Sequence, residues 1–218
     1  VFEIYRVKGL IFDCYHTIVD IKTDESDFYT YDTVSKWLQY QGVRIDPDTL
    51  KGEYHAMATE EVEASAEAYP EIRVEEIFSR ICKENSIWNI DELKLGVETS
   101  RVFRSASLRK IDVFPQSLRI VEGSSHLKRC ILSNGQRVFS ELELRFLGLH
   151  DLFDIIIFSS DVRYKKPNPK IYRLALDRMQ LDPEEVLFIG DTPENDITAP
   201  REIGMQAIHI QEAWKLIS

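Results

Sequence analysis

Apolar residues fall along this chain in two rhythms. In the first, short apolar runs are separated by turn residues and by amphipathic stretches. The runs are "VKGLIFD" (7–13), "LKRCILSN" (127–134), "FDIIIFSS" (153–160), "EEVLFIGD" (184–191) and "MQAIHI" (205–210). Their Ile, Leu, Val and Phe content suits strands buried on both faces of a sheet. Between them the spacing predicts helices over about 116–125, 136–147, 168–180 and 194–203. Strands and helices in alternation imply a parallel sheet built from right-handed crossovers.

The second rhythm runs from about 21 to 110 and contains no convincing strand. It reads as four helices, roughly 27–42, 47–68, 73–85 and 90–108. "YDTVSKWLQYQG" has a helical period and ends in Gly42, the residue type favoured just past a helix C-terminus. "RIDPDTL" restarts with Asp46 as the N-cap candidate and Pro47 at the first helical position. The expected fold is therefore α/β, a Rossmann-like parallel sheet core flanked by helices, with an inserted all-helical cap. The core is discontinuous, 1–20 and 111–218, and the cap covers 21–110.

Composition narrows the class of function. The 218 residues suit one sizeable domain carrying an insertion, and an apolar fraction of 44% supports a proper core. A net charge of −10, from 37 acidic and 27 basic residues, argues against a nucleic-acid binder that relies on neutralising phosphates. Residues 46–76 hold ten carboxylates against two basic groups, which reads as a solvated helix face. Cys14, Cys82 and Cys130 are widely spaced, without metal-like pairing, and suit a reducing compartment. No apolar run has the length of a membrane span, and no signal-peptide pattern opens the chain. These features lead us to expect a cytoplasmic protein with a small-molecule substrate, no nucleic-acid or membrane partner, and a monomeric or homodimeric state.

Ligands in open α/β sheets bind beyond the carboxyl ends of the strands. The first strand ends in Asp13, with Tyr15 and Thr17 just beyond. The second ends in Ser133, Asn134 and Gly135. After the third comes "YKKPNPKIY", with Lys165 and Lys166 before Pro167, and the fourth ends in "GDTPEND", with Asp191, Asn195 and Asp196. Each piece has a bland alternative: Asp191 as a helix cap, Ser133–Gly135 as a turn, Lys166 as a solvent lysine. The conjunction of a carboxylate, loop N–H donors, a cation and further carboxylates at four successive strand ends is poorly explained by chance.

These residues resemble the haloacid dehalogenase-like hydrolases. "IFDCYHT" is similar to the family's first motif, "ILSNG" to its second, "KKPNP" to its third and "IGDTPEND" to its acidic fourth. The resemblance implies that Asp13 attacks the substrate and forms a covalent aspartyl intermediate, which water then cleaves. Lys166 would steady Asp13 and a substrate oxygen, while Ser133 and the amides around Asn134 and Gly135 cradle oxyanions. It implies one Mg²⁺, held by Asp13, Asp191 and the backbone carbonyl of Tyr15. Thr17, Asn195 and Asp196 would stand behind these ligands, with Asp196 holding a metal-bound water or positioning Lys166.

Tyr15 departs from the phosphatase pattern, in which an acid-base Asp stands two residues after the nucleophile. Losing such a group typically costs ~10²–10⁴-fold in rate. Tyrosine there is similar to the 2-haloacid dehalogenases, where halide leaves without needing a proton. Those enzymes, however, generally lack the acidic pair that this chain keeps. Arg44 is the candidate halide-binding arginine, although a solvated role suits an arginine just past a helix end. Trp37, Tyr40, Tyr54, Tyr69 and Trp88 are candidates to line the cap. The leading expectation is a Mg²⁺-dependent phosphatase acting on a small phosphorylated metabolite. The alternatives are a metal-independent 2-haloacid dehalogenase and a catalytically weak scaffold or interaction protein.

Overall fold

The computed structural model describes residues 7–216. Seven strands follow one another along the chain: β1 (Gly9–Phe12), β2 (Val19–Thr23), β3 (Leu108–Val113), β4 (Lys128–Ser133), β5 (Ile155–Phe158), β6 (Val186–Gly190) and β7 (Gln206–His209). The helices between β2 and β3 are α1 (Phe28–Tyr40), α2 (Pro47–Ala64), α3 (Val74–Glu84) and α4 (Glu92–Ser107). Those that follow are α5 (Pro115–Gly123), α6 (Arg137–Phe146), α7 (Ser159–Val162), α8 (Pro169–Met179), α9 (Ala199–Glu202) and α10 (Ile210–Leu216).

The main sheet has the order β5-β4-β1-β6-β7, and every neighbouring pair is parallel. Its central strand β1 is buried along its whole length, as its unbroken GLIF run requires. Side chains of β1 alternate between two cores. Leu10 and Phe12 pack with Val121, Leu144 and Ile210 on one side, whereas Ile11 packs with Tyr172, Leu176 and Phe188 on the other. Helices therefore cover both faces, and β1 lies where the chain order reverses, with β4 on one side and β6 on the other. The crevice at this switch point opens at the end of β1, where Asp13 follows.

Helices α1 to α4 form a core of their own. Val34, Leu38, Leu50, Ile77, Phe78 and Ile81 are wholly buried there, and Tyr54 stacks on Phe78 with ring centroids 5.2 Å apart. Asp46 caps α2 by accepting the N–H groups of Asp48 and Thr49, and Pro47 occupies its first position. Gly42 takes φ +82°, the left-handed conformation that glycine adopts without a side-chain clash.

Two features differ from the expectation. First, β2 and β3 form an antiparallel ribbon, Val19 opposite Val113 and Ile21 opposite Ile111, at the two boundaries of the segment read as strandless. The ribbon carries the chain from β1 out to the helices and back. Its strands escape recognition because β3, "LRKIDV", has no buried position and is half charged, so no apolar run marks it. Second, the predicted helix over 194–203 begins as a wide π-type turn at Pro193–Thr198 before α9.

The acidic stretch is also more than a solvated face. Glu61 and Glu76 both reach Arg163, at 2.8 and 2.5 Å, and Glu67 reaches Lys170 at 2.8 Å. Backbone pairing adds to these links: Lys165 donates its N–H to Tyr69, and Glu71 donates to Arg163. The helical block is thus seated on the segment that leads into Lys166. Among the described residues, no helix is long and apolar enough to cross a membrane.

Candidate active site

Four strand ends bring the candidate residues together. Asp13 stays in the sheet's hydrogen-bond pattern, its N–H donating to Ile189 at 2.9 Å, so its side chain emerges between β4 and β6. Lys166, only 3% exposed, donates through Nζ to Asp13 Oδ1 at 2.8 Å and to Asp196 Oδ1 at 2.7 Å. The solvent-lysine reading of Lys166 is thereby excluded. Burial by itself would lower the ammonium's pKa, but the two carboxylates outweigh it and hold the group above its ordinary value.

Asp196 is completely buried and fully engaged. Its second oxygen accepts the N–H groups of Asp191 at 3.1 Å and Thr192 at 2.9 Å. This contact requires Gly190, since a Cβ there would stand 2.4 Å from Asp196 Cβ, Cγ and Oδ2. Burial raises the Asp196 carboxyl's pKa above its usual range, opposed by Lys166. The helix-cap reading of Asp191 fails as well: the turn that follows is N-capped by Thr192, and no side chain caps it.

Oxygens of Asp13, Asp191 and Asp196 lie within 4.8 Å of one another. Asp196 has no oxygen to spare, but Asp13 Oδ2 and Asp191 Oδ1 are met only by the Thr17 hydroxyl, at 3.2 and 3.5 Å, and by Thr192 near Asp191 at 3.4 Å. Two carboxylates facing each other with hard oxygen donors fit a Mg²⁺ ion, which would offset their repulsion. Thr17 is held in place as its own carbonyl accepts the Ser117 hydroxyl at 2.5 Å.

The loop after β4 performs a second task. Asn134 and Lys166 form a reciprocal pair, Lys166 N–H donating to Asn134 Oδ1 at 2.8 Å and Asn134 Nδ2 to the Lys166 carbonyl at 3.0 Å. Ser133–Gly135 is therefore more than a turn: it fixes the backbone from which Lys166 projects. Ser133 is buried, with its hydroxyl near Gly135. Asn195 meets the site differently, through a backbone carbonyl that accepts the Tyr172 hydroxyl.

Tyr15 lies on a tight turn in which His16 takes φ +60° and Val19 N–H returns to the Cys14 carbonyl. The Tyr15 phenol oxygen sits 2.5 Å from Glu143 Oε2 and 2.7 Å from Ser140 Oγ. A phenol has one proton, and the carboxylate is the stronger acceptor. Burial pushes the Tyr15 pKa well above its ordinary value, with Cys14 and Glu143 adding to the effect. The phenol is thus a committed donor.

Beside Tyr15 lies a cavity of about 340 Å³, bounded by Tyr15, Asn134 and Gly135 from the sheet side and by Tyr54, Glu71 and Arg104 from the helical block; Asp13, Lys166 and Asp191 do not line it. Of the aromatic candidates only Tyr54 lines it; Tyr40 and Trp88 are exposed. Arg44 is exposed and does not line it. Arg104, Glu143, Glu71 and Gln136 were missed in the sequence. No motif marks them, because the partners that hold them lie 39 to 128 residues away.

A doubly wound sheet with an acid–lysine cluster at its switch point places a ligand-binding site there. A family model described as haloacid dehalogenase-like hydrolase matches residues 7–204, so this chain belongs to that family of hydrolases. It is 31% identical over 100 residues to a glyceraldehyde 3-phosphate phosphatase of Methanopyrus kandleri, covering 46% of this chain and 42% of that protein. It is 31% identical over 89 residues to a phosphoserine phosphatase of Thermus thermophilus, covering 41% and 36%. The chain therefore matches less than half the length of these curated relatives. Among solved structures, a 2-haloacid dehalogenase from Pseudomonas syringae pv. tomato shares the fold, with a TM-score of 0.66 at 22% identity over 93% of this chain and 86% of that one.

Proposed function

We propose that the chain is a Mg²⁺-dependent phosphatase that hydrolyses a small phosphorylated metabolite, with residues 21–110 closing as a cap over a core of 1–20 and 111–218. The observation that carries this reading is the division of labour among the aspartates. Asp196 is consumed by Lys166 and two backbone amides, which leaves Asp13 and Asp191 facing each other with oxygens to share. Asp13, Asp191 and the Tyr15 carbonyl would hold the ion, which when bound neutralises phosphoryl charge.

Asp13 attacks phosphorus, and the bond to the leaving oxygen breaks. A water then attacks the same phosphorus, breaking the bond to Asp13 and releasing inorganic phosphate. Lys166 orients Asp13 and offsets charge at the phosphoryl oxygens, while Ser133 and the amides of Asn134 and Gly135 receive those oxygens. Thr17 keeps Asp13 and Asp191 in register. Because the Tyr15 proton is committed to Glu143, the leaving oxygen gains no proton from Tyr15. Acyl and aryl phosphates are accordingly better substrates than alkyl phosphomonoesters.

The same committed phenol favours one rival, release of halide from a 2-haloacid, since halide needs no proton. Asp191 weighs against it, as does Arg44, which lies away from the cavity. The test is hydrolysis of p-nitrophenyl phosphate with Mg²⁺ and again with EDTA, beside Asp13→Asn. Mg²⁺-dependent turnover that the substitution abolishes supports the phosphatase. Halide release that persists in EDTA would replace it with the dehalogenase. Absence of both activities in folded protein would favour a scaffold.

A further inference from the structure

Three side chains from three parts of the molecule converge beside the candidate nucleophile. Tyr15 comes from the turn after β1, Glu143 from α6 of the core, and Arg104 from α4 of the helical block. Arg104 Nε donates to Glu143 Oε1 at 2.6 Å and Nη2 to Oε2 at 3.3 Å, while Nη1 reaches Glu25 at 3.2 Å. The guanidinium lies 5.4 Å from the centre of the Tyr15 ring and 4.6 Å from that of Phe139. The side chains of Arg104 and Glu143 are each 10% exposed.

This arrangement differs from the ion pairs between the two units described above. Arg163 with Glu61 and Glu76, and Lys170 with Glu67, are partly exposed pairs at the rim. Exposed pairs contribute little, whereas a buried pair that loses one partner leaves an uncompensated charge. Glu143 is shared: one of its oxygens serves Arg104 alone, and the other also receives the Tyr15 proton. Movement of α4 that withdraws Arg104 would leave Glu143 with the phenol as its remaining strong donor. Conversely, a shift of the turn at Tyr15 would loosen the carboxylate that seats α4.

We propose that Glu143 and Arg104 are positioning residues, which act through Tyr15 to couple the seating of cap helix α4 to the placement of the turn that follows Asp13. The proposal deepens the phosphatase reading and rests on it. It gives Tyr15 a role that needs no proton transfer to substrate. The residue is a strut whose phenol ring also packs under the guanidinium.

The test compares wild type, Tyr15→Phe, Glu143→Gln and the double variant on p-nitrophenyl phosphate and on an alkyl phosphate. Melting temperatures are recorded so that all rates are taken on folded protein. Each single variant is expected to lower kcat roughly 10–100-fold, as displaced catalytic geometry does, and by the same factor on both substrates. The double variant should be no slower than the worse single, since both break one connection. A loss much larger on the alkyl phosphate would overturn the proposal, because it would mean that Tyr15 protonates the leaving group. So would additive losses, or unchanged kcat with a lowered melting temperature. Amide hydrogen exchange provides a readout independent of turnover. Glu143→Gln should speed exchange both in α4 and in the turn at 14–19, and a change confined to α6 would refute the coupling. If wild type turns over no phosphate ester, the phosphatase reading fails and the exchange result still decides the coupling.

Discussion

Replacing Asp196 with asparagine removes one charge and almost no volume, yet the site has no place for an amide. One carboxylate oxygen accepts the Lys166 ammonium at 2.7 Å, and the other accepts two backbone N–H groups at 3.1 and 2.9 Å. Every group that faces Asp196 in these contacts is a donor. Asparagine has a single acceptor oxygen, so in either orientation its NH₂ points at a donor. With the oxygen kept on the two amides, the NH₂ abuts the ammonium, and Lys166, 3% exposed, retains only Asp13. Because Asp13 still pairs the ammonium, the cost is that of a buried donor left short of one partner, about 1–3 kcal/mol. In a chain of 218 residues that corresponds to a fall in melting temperature of roughly 2–12 °C. Urea denaturation at pH 7 in EDTA, followed by circular dichroism, measures the difference without a contribution from metal. A loss below about 1 kcal/mol would refute the reasoning, since an exposed and screened pair behaves that way. Turnover should fall too, because an unanchored ammonium no longer orients Asp13.

Gly190→Ala should destabilise by about 1–3 kcal/mol, because its Cβ would overlap an Asp196 pinned on both oxygens. Gly52→Ala, in α2 with nothing within 4 Å, should instead stabilise by roughly 0.5–1 kcal/mol; equal denaturation midpoints for the two variants would contradict the packing argument. Glu71 is held by Ser159 at 2.6 Å, and burial raises its pKa above the usual carboxylate value of about 4.3. Its folded form therefore binds protons more tightly than its unfolded form, and stability declines as pH rises from the unfolded value through the folded one. The stability of Glu71→Gln relative to wild type should increase across that window and then level off; a constant gap from pH 4 to 7 in urea titrations would disprove it. Lys166→Arg should lose about 10²–10³-fold in kcat, because a planar guanidinium cannot replace a compact ammonium between two carboxylates, and near-normal turnover of p-nitrophenyl phosphate would count against that fit.

The main sheet was legible because its strands are buried on both faces. Runs such as "LIF" and "LFI" have no polar position that allows another environment. The four helices were legible from their caps and period, Asp46 and Pro47 above all. The ribbon of β2 and β3 was not, because β2 offers only two buried apolar positions, Val19 and Ile21, and β3 has no buried position at all. Asp13, Lys166, Asp191 and Asp196 could be named because each stands at the end of a readable strand or in the loop beyond it. Their chemical complementarity is visible even in one dimension.

The physical basis of their tasks needed three dimensions. The family resemblance already sets Asp196 behind Asp13 and Asp191, but its burial against Gly190, Lys166 and two amides, which is what occupies its oxygens, is visible only in the fold. Likewise "IFDCYHT" puts a tyrosine where the phosphatase pattern has an acid, but cannot say where the phenol points. Its partner Glu143 is 128 residues away, and Arg104 reaches Glu143 across a further 39. Such contacts depend on the packing of α4 against α6 rather than on any local spacing. Local order therefore dictated the sheet, the helices and the inventory of reactive groups, since hydrophobic periodicity and capping act over a few residues. Which groups are free to react was decided by tertiary packing, because the partners that occupy a side chain are brought to it by the fold.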